Sequence, residues 1–445
     1  MKESRRRTSR ALAAVVVAAS VLFTSLSHAD NCPAEDNWFP HSQTPRPDDA
    51  GFKSKSNCEF HQWSWQMFLW LTQDWDGKPR FLGFNSPQSL LGMESRGLLP
   101  RMTKSAAPET FDEYLQAGTD GILVDHSGKA VYYSQYINNT FENFIESNDL
   151  TNPANVRKMD PNTEFPIEGT AGALELKASW KIVADGEDVS DMFTMETLVS
   201  KLENKGGKIV INPKNVEKVT VALVGFHIGG IVNGHPEMIW ATFEHIRNAP
   251  NVEPDTTLDK VVSKNDDTFY TGGTILGDCN INAAVSNLTL NESKQSLSPI
   301  TQVCRQYEFG NAAGVKPSNT QSIKTINDSV AGKIDPKSVW SNYFEVGAIW
   351  FQETNALEPG MGIGTDSFKS PSGKEVNLTG SLKLSNSTIE TFTQRQSTMD
   401  NCFRCHNTAQ EFPPKMSLDP LPATNLNISH AFQNIYFWSQ EIEKK

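Results

Sequence analysis

The chain has 445 residues, of which 38% are hydrophobic and 21% charged, and its formal net charge at pH 7 is −12. The length predicts two or three domains, and the composition is that of a globular protein, which excludes collagen-like, coiled-coil and wholly disordered chains. No apolar run reaches the ~18 residues of a membrane-spanning helix, so a protein with several membrane spans is excluded. The acidic balance argues against nucleic-acid binding, which needs a basic surface to neutralise phosphates.

Residues 1–29 have the pattern of a secretory signal peptide. A basic segment, MKESRRRTSR, precedes an apolar segment over residues 11–23, and Ser27-His28-Ala29 supplies the small residues that a signal peptidase recognises. We predict cleavage after Ala29; an uncleaved anchor is the alternative, although the apolar segment is short for a span. The chain is therefore expected to be exported by a bacterium, as a periplasmic or secreted protein, and to keep no membrane span after cleavage.

Four of the six cysteines form two pairs with similar spacing. Because an exported chain folds in oxidising surroundings, we predict the disulfides Cys32–Cys58 and Cys279–Cys304. Each bridge would contribute about 3 kcal/mol by restricting the unfolded chain. Free buried thiols and pairing across the two sets are the alternatives that the sequence leaves open.

Helical periodicity is found in three stretches of the body of the chain, residues 59–72, 141–147 and 191–204. Four aromatic residues lie close together in the second half of the first stretch: Trp63, Trp65, Phe68 and Trp70. Such side chains can wall a cofactor or bind a ligand, but aromatic rings more often pack in a core, and core packing is our prediction.

Alternation of apolar and polar residues predicts strands in other stretches. A hairpin is indicated by residues 121–125 and 130–137 around a turn at 126–129. Further strands are predicted at residues 173–183, 219–224, 238–244 and 343–351. Residues 251–300 are rich in Asp, Asn, Thr and Ser, which favour loops. We therefore expect residues 30–385 to form a β-rich α+β domain.

Four potential metal ligands lie close together in this domain: His227, His235, Glu244 and His245. Two neighbouring strands could bring some of these side chains together in a metal site. Single histidines and glutamates on strands more often have structural partners, and we favour that interpretation.

The clearest chemical signal is Cys402-Phe-Arg-Cys405-His406, which is the attachment motif of c-type haem. Thiols at positions i and i+3 lie on one side of a single helical turn, where they can reach the two vinyl groups on one edge of a porphyrin. The histidine that follows can then direct a ring nitrogen at the iron. We predict one covalent haem c, held by Cys402 and Cys405, with His406 as the proximal iron ligand.

Other chemistries of a CxxC pair explain the motif less well. A structural zinc site needs four ligands, and the chain contains no second CxxC and no HxxxH. A thioredoxin-like redox pair needs a preceding strand in a βαβ unit, whereas the sequence before Cys402 is polar and helical in pattern. A local disulfide would leave His406 unexplained.

Residues 386–445 are predicted to form a small all-α haem module, an abbreviated cytochrome c. Residues 387–396 favour a short helix with a capping box of Ser387 and Glu390, and Ser429 is expected to cap a last helix over 430–443. A loop rich in Pro and Asn lies between them and contains Met416. A unit of this size buries little surface, so we expect it to pack against the larger domain.

The sixth iron position has several candidate donors. Met416 and His430 both lie in the segment that would fold over the ring, and these two are favoured equally. A histidine of the larger domain, or an open position, is the third possibility; the histidines concerned are His227, His235 and His245.

Three stretches of the larger domain resemble a known family. They are WSWQMFLWL at residues 63–71, GALELKASWKIV at 172–183, and VALVGFHIGGIVNGHPEMIWATFEHIRNAP at 221–250. These stretches are similar to segments of large exported bacterial proteins with one C-terminal CxxCH, the monohaem cytochrome c family proteins. The resemblance implies haem ligation by Cys402, Cys405 and His406 and implies no particular activity.

Two functions are compatible with these observations. The first is electron transfer through one covalent haem, with a redox protein or a small-molecule electron donor as the partner. The second is a haem enzyme, an oxidoreductase, or a sensor of a small ligand such as peroxide or oxygen, with an open or labile sixth iron position. We favour electron transfer, and the coordination of the iron distinguishes the two.

Overall fold

The fold is described from a computed structural model. It describes residues 32–39, 57–93, 110–111, 113–116, 119–310, 317–383, 385–395, 400–413 and 417–443. The predicted signal peptide, residues 1–29, and the candidate ligand Met416 lie outside the described residues.

Six α-helices and thirteen strands occur in the described ranges. The helices are α1 (Asn57–Thr72), α2 (Pro87–Leu90), α3 (Asn139–Ser147), α4 (Pro153–Val156), α5 (Pro317–Ala331) and α6 (His430–Glu443). The strands are β1 (Asp74–Trp75), β2 (Lys78–Pro79), β3 (Thr110–Phe111), β4 (Tyr132–Ile137), β5 (Leu174–Ile182), β6 (Thr194–Lys205), β7 (Lys208–Val232), β8 (His235–His245), β9 (Thr289–Asn291), β10 (Ser296–Ser298), β11 (Tyr343–Phe351), β12 (Ser367–Lys369) and β13 (Glu375–Gly380).

Nine of the described strands form one large sheet. Its main path runs β12-β13-β11-β8-β7-β5-β4, while β6 pairs with β7 and β3 pairs with β6. All pairs are antiparallel except β3 with β6. The 25-residue strand β7 carries β6 along its first half and β5 along its second half, so it connects the two parts of the sheet.

One face of the sheet is covered by the aromatic side chains of α1. The ring of Phe68 stacks on Phe243 at 4.4 Å, and Trp65 meets the same ring edge-on at 5.1 Å. The four aromatic residues for which core packing was predicted are all buried, which confirms that prediction: Trp63, Trp65, Phe68 and Trp70. This apolar layer fixes which side chains of the central strands point inward.

The opposite face of the sheet carries the C-terminal part of the chain, and glycines allow the close approach. A Cβ atom on Gly225 would lie 2.2 Å from Thr388 Oγ1 and 2.6 Å from Ser179 Oγ. A Cβ atom on Gly229 would lie 2.6 Å from the indole of Trp240. Since no other residue lacks a Cβ, glycine at these two positions is a steric requirement of the packing.

The predicted fold class, a β-rich α+β body with a separate all-α haem module, is wrong in its second part. Helix α6 is the one α-helix among the described C-terminal residues, and its predicted extent, 430–443, is confirmed. Residues 387–396 do not form the predicted capped helix; within the described range they form turns and a short 3-10 segment, Thr393–Arg395. The apolar residues of this region pack in a core shared with the sheet, as Phe432 and Tyr436 do with Trp240.

Polar contacts to the sheet explain why that predicted helix does not form. Asn386 Nδ2 donates to Thr242 Oγ1 at 2.7 Å, and the hydroxyls of Thr388 and Ser179 are 2.7 Å apart. Ser387 Oγ donates to the buried carboxylate of Glu244. The sequence pattern predicted a helix cap here, but these side chains instead form hydrogen bonds with residues of the sheet.

The strands predicted at 173–183 and 343–351 are confirmed by β5 and β11, and the first predicted helix is confirmed by α1. The helix predicted at 191–204 is wrong, because this stretch forms β6 and pairs with β7 over its whole length. Helix α5 was not predicted.

Both predicted disulfides, Cys32–Cys58 and Cys279–Cys304, are present. Such bonds persist in oxidising compartments. Among the described helices, none combines the length and the hydropathy needed to cross a membrane.

We predict that Gly225→Ala destabilises the protein by about 1–3 kcal/mol, because the added methyl group overlaps Thr388 and Ser179. Urea unfolding of the wild type and the variant measures the loss. Gly83→Ala is the matched control, since a Cβ atom there has no neighbour within 4 Å. Equal stability of the Gly225 variant and the wild type would show that residues 385–395 do not pack on the sheet in this way.

Candidate functional site

The site is a cavity between the sheet and the C-terminal segment. Its floor is a row of side chains at one register level: His227 on β7 pairs with Lys177 on β5 and with Thr242 on β8, and all three line the cavity. Its walls include Cys402 and Cys405. The empty volume is about 1430 Å³, including the part that opens to solvent.

A tight turn presents the CxxCH motif to this cavity. Residues Cys402–Arg404 form a 3-10 turn, whose first free N–H, that of Phe403, donates to Asn401 Oδ1 at 3.1 Å. The N–H groups of Cys405 and His406 both donate to the carbonyl of Cys402, at 3.1 and 2.9 Å. The single turn expected for the motif is therefore observed, and it places both thiols and the imidazole in one wall.

An ion-pair network holds the start of the turn. Arg404 Nε donates to Asp400 Oδ1 at 2.9 Å, and Lys383 donates to Asp400 Oδ2. Burial alone would raise the pKa of Asp400, but the hydrogen bonds from the two cations hold it below its ordinary value. This carboxylate therefore stays charged at neutral pH and anchors the turn next to the cavity.

His406 has the state that an iron ligand needs. Its Nδ1 is 2.9 Å from the carbonyl oxygen of Ile428, and because a carbonyl only accepts, Nδ1 carries the proton. No described residue forms a hydrogen bond with Nε2. Burial, together with the neighbouring His430, lowers the pKa of His406 well below its usual range, so the ring is neutral. A neutral imidazole whose Nδ1–H is bonded to a carbonyl is the usual form of an iron-ligating histidine.

The two thiols of the motif are free and protonated. Burial raises the pKa of Cys405 to about 11 and that of Cys402 further, and the carboxylate of Glu390 acts in the same direction. Reactive cysteines of redox and nucleophilic sites have lowered pKa values, so this environment does not favour those chemistries. No group of three or more side chains suited to a metal ion is found among the described residues.

The residues present fit haem c. Two half-buried thiols and a neutral imidazole, whose Nε2 has no hydrogen-bond partner among the described residues, face one cavity. Parts of its lining are apolar, as the flat face of a porphyrin requires: Trp240, Ala241, Ile349 and Ile389. Haem ligation by Cys402, Cys405 and His406 stays a prediction that this geometry supports.

His430 lies beside His406. The two imidazole rings stack with centroids 3.9 Å apart and an interplanar angle of 23°. Two axial ligands of one iron must lie on opposite faces of the porphyrin, and rings in direct contact leave no space for it. His430 would have to leave this stacked position to act as the sixth ligand, and its assignment stays a prediction.

His227 lines the floor of the cavity, and Glu390, from the C-terminal segment, lies beside it. His227 Nε2 is 3.0 Å from Glu390 Oε1, but the two atoms are not aligned for a hydrogen bond, so this buried nitrogen has no hydrogen-bond partner in the described chain. The sequence predicted Glu390 as part of a helix cap, and it did not point to Lys177 at all. No local spacing signals these residues, because the sheet brings them together from distant positions.

The other candidate metal ligands of the large domain are dispersed. His235 Nδ1 contacts Glu237 Oε1 at 2.7 Å, and His245 lies 3.8 Å from Asp191. Glu244 accepts hydrogen bonds from Ser387 and Asn248. Of the four proposed ligands, His227 is the one that lines the cavity. The structural interpretation that we favoured for the other three is therefore supported by their contacts.

A buried carboxyl group joins the cavity to α6. Glu175 Oε2 accepts from Ser429 Oγ at 2.6 Å, and Oε1 accepts from the N–H of Ala431 at 3.0 Å. Burial raises the pKa of Glu175 from its ordinary value of 4.5 to about 7, although these hydrogen bonds lower it. The carboxyl group is therefore protonated more readily in the folded protein than in the unfolded chain.

This difference predicts a pH dependence of stability. A raised folded-state pKa means that the contribution of Glu175 is fully present below about pH 4.5 and is lost as the pH rises to about 7. We expect Glu175→Gln to reduce this loss of unfolding free energy, by up to about 3 kcal/mol. Urea unfolding of both proteins across this pH range measures it. Identical pH profiles would contradict a buried, titrating Glu175.

Comparison with known proteins identifies no relative: no family model matches the chain, and neither a curated protein nor a solved structure matches it. The resemblance to monohaem cytochrome c family proteins therefore rests on the sequence stretches themselves.

Proposed function

We propose that the chain is an exported c-type cytochrome that holds one haem covalently through Cys402 and Cys405 and transfers electrons. The observation that carries the proposal is the wall formed by the CxxCH turn, in which two half-buried thiols and a neutral His406 face one cavity. Other uses of the motif would need a lowered thiol pKa or further metal ligands, which the described residues do not supply.

Each residue of the wall has a definite task in this proposal. Cys402 and Cys405 supply the sulfurs of the two thioether bonds, and His406 supplies Nε2 as the proximal iron ligand. The carbonyl of Ile428 holds His406 Nδ1–H and so fixes the orientation of the ring. When bound, the haem supplies an iron that alternates between the ferrous and ferric states.

The fold restricts water at this position. The sheet forms the floor, and Trp240 packs against His406 with ring centroids 3.7 Å apart. A buried, rigid environment changes little when one electron is gained or lost, which suits electron transfer better than a mobile, solvated one.

Export is part of the proposal. The signal pattern of residues 1–29 and the two disulfides both favour an oxidising compartment, the periplasm or the cell exterior. The partner is a redox protein or a small-molecule electron donor. A net charge of −12 makes a cationic partner or partner surface the favoured one.

Covalent attachment gives the first test. Acid–acetone extraction of the purified protein should leave the colour on the polypeptide, because thioether bonds survive it. With two thiols in thioethers and four in disulfides, the unreduced, denatured protein should contain no thiol that reacts with an alkylating reagent.

The variant Cys402→Ala/Cys405→Ala, purified from the same host, is the control and should bind no haem covalently. Colour that extracts freely from the wild type would contradict the proposal. So would two reactive thiols in the coloured protein.

A second function, a haem enzyme or small-ligand sensor, is favoured by the polar floor. Lys177, His227 and Glu390 line the cavity, and a polar side chain near an open iron position is what activation of peroxide or oxygen requires. In this case the sixth position is vacant or labile.

Ligand binding separates the two functions. For electron transfer we expect a six-coordinate, low-spin spectrum in both oxidation states, and no binding of carbon monoxide by the ferrous protein within minutes of mixing. Absorption spectra of the purified protein, oxidised and reduced, with and without carbon monoxide, measure this. A high-spin spectrum with immediate carbon monoxide binding would replace electron transfer with the second function.

A further inference from the structure

We infer that His227, on the central strand β7, is the sixth iron ligand, and that Glu390 is the positioning residue that holds its ring. The inference rests on the proposed haem site and names a ligand that lies far from the CxxCH motif in sequence. Of the described histidines, three line the cavity: His227, His406 and His430. Among the described histidines, the choice of a second ligand is therefore between His227 and His430.

The contacts of His430 disfavour it. Its ring is stacked on His406 at 3.9 Å, and its Nε2 is 3.4 Å from the carbonyl oxygen of Cys405, the residue adjacent to His406. Both rings thus belong to the same wall. A haem held by Cys402, Cys405 and His406 would occupy the cavity in front of this wall, and a second ligand would then come from another side of the cavity.

The floor of the cavity is such a side. His227 is fixed between Lys177 and Thr242 by antiparallel pairing on both edges of β7, so its Cα position is rigid. Pairing on both sides makes a precise support for a ligand, as strands of a sheet generally do.

The ring of His227 has hydrogen-bonding capacity that no described residue uses. Neither ring nitrogen forms a hydrogen bond with a described residue, and Nε2 is buried. A buried ring nitrogen without a hydrogen bond is costly, because it has lost its contact with water. The other histidines of the described large domain do not share this feature; His61, for example, contacts Glu345 at 2.8 Å and Asn319 at 2.9 Å. A bond to iron would satisfy one nitrogen of His227.

Glu390 completes the arrangement. Its Oε1 lies 3.0 Å from His227 Nε2, and a small rotation of the imidazole lets one ring nitrogen donate to this carboxylate while the other faces the cavity. A carboxylate bonded to a ligating imidazole fixes the tautomer and makes the ring a stronger donor. Glu390 therefore acts on the iron through His227.

The experiment compares variants of the purified holoprotein by absorption and electron paramagnetic resonance spectroscopy. The wild type and His430→Ala should both show the low-spin signal of two imidazole ligands. His227→Ala should lose this signal, become high-spin and bind carbon monoxide, and added imidazole should restore the low-spin spectrum. His235→Ala, outside the cavity, is the matched control and should resemble the wild type.

His227→Met keeps an iron donor in place and covers the case in which the alanine variant fails to load haem. It should remain low-spin, gain the weak far-red band of an iron–thioether bond and shift to a higher reduction potential, because thioether favours ferrous iron. Glu390→Gln should keep the low-spin spectrum and also shift the potential upward. A merely structural role of Glu390 would leave the potential unchanged.

The outcomes are separable. A low-spin spectrum that persists in His227→Ala and is lost in His430→Ala overturns the assignment of His227, while electron transfer stands. The assignment is also overturned if both His227 variants keep the two-imidazole signal of the wild type and His227→Met shows no histidine–methionine signal. A wild type that is already high-spin refutes both the assignment and electron transfer, and leaves the covalent haem intact.

Discussion

The pairing register of β7 with β5 and β8 determines the position of the three sheet residues in the cavity floor. His227 pairs with Lys177 and Thr242, so the three side chains point to the same face of the sheet. A shift of one residue would turn His227 toward the aromatic layer of α1. The register is held by the large apolar side chains of the other face, such as Phe226 and Ile228, which are fully buried. The core under α1 therefore specifies the polar site on the far side of the sheet.

The C-terminal segment depends on the same sheet. The side chains of Asn386, Ser387 and Thr388 form hydrogen bonds with sheet residues. Gly225 leaves room for the closest of these contacts. A segment of this length could not bury enough apolar surface by itself to fold as an independent module. It uses the sheet as its second layer, and the cavity is the space that remains between the two.

The sequence predicted those features that have a local cause. Strands β5 and β11 alternate clearly, Ser429 marks the start of α6, and the CxxCH motif identifies Cys402, Cys405 and His406 without knowledge of the fold. The helix predicted at 191–204 was wrong because apolar residues such as Met195, Leu198 and Leu202 also match a helical spacing. There the long partner β7 decides in favour of a strand, and a partner is not visible in a local pattern.

Residues that act through tertiary contacts could not be predicted in this way. Ser387 and Glu390 match a capping box, yet the first bonds to Glu244 and the second lies beside His227. Lys177 carries no motif at all. Position in the folded structure, and not spacing in the chain, gives these side chains their role. Sequence patterns therefore identified the wall of the cavity, and in its floor they pointed to His227 alone, as one of several candidate ligands.

The charged side chains that line the cavity are not equally well neutralised. Both lysines that line it are neutralised by carboxylates, Lys177 by Glu113 at 2.9 Å and Lys383 by Asp400. Within the described ranges, the imidazole of His227 is the only ion-pair partner of Glu390, and a ligating imidazole is neutral. In the proposed holoprotein the negative charge of Glu390 is therefore uncompensated in a region of low dielectric, where it favours ferric over ferrous iron. In this proposal the turn that carries the cysteines would hold the haem, whereas the sheet and the segment packed on it would set its potential.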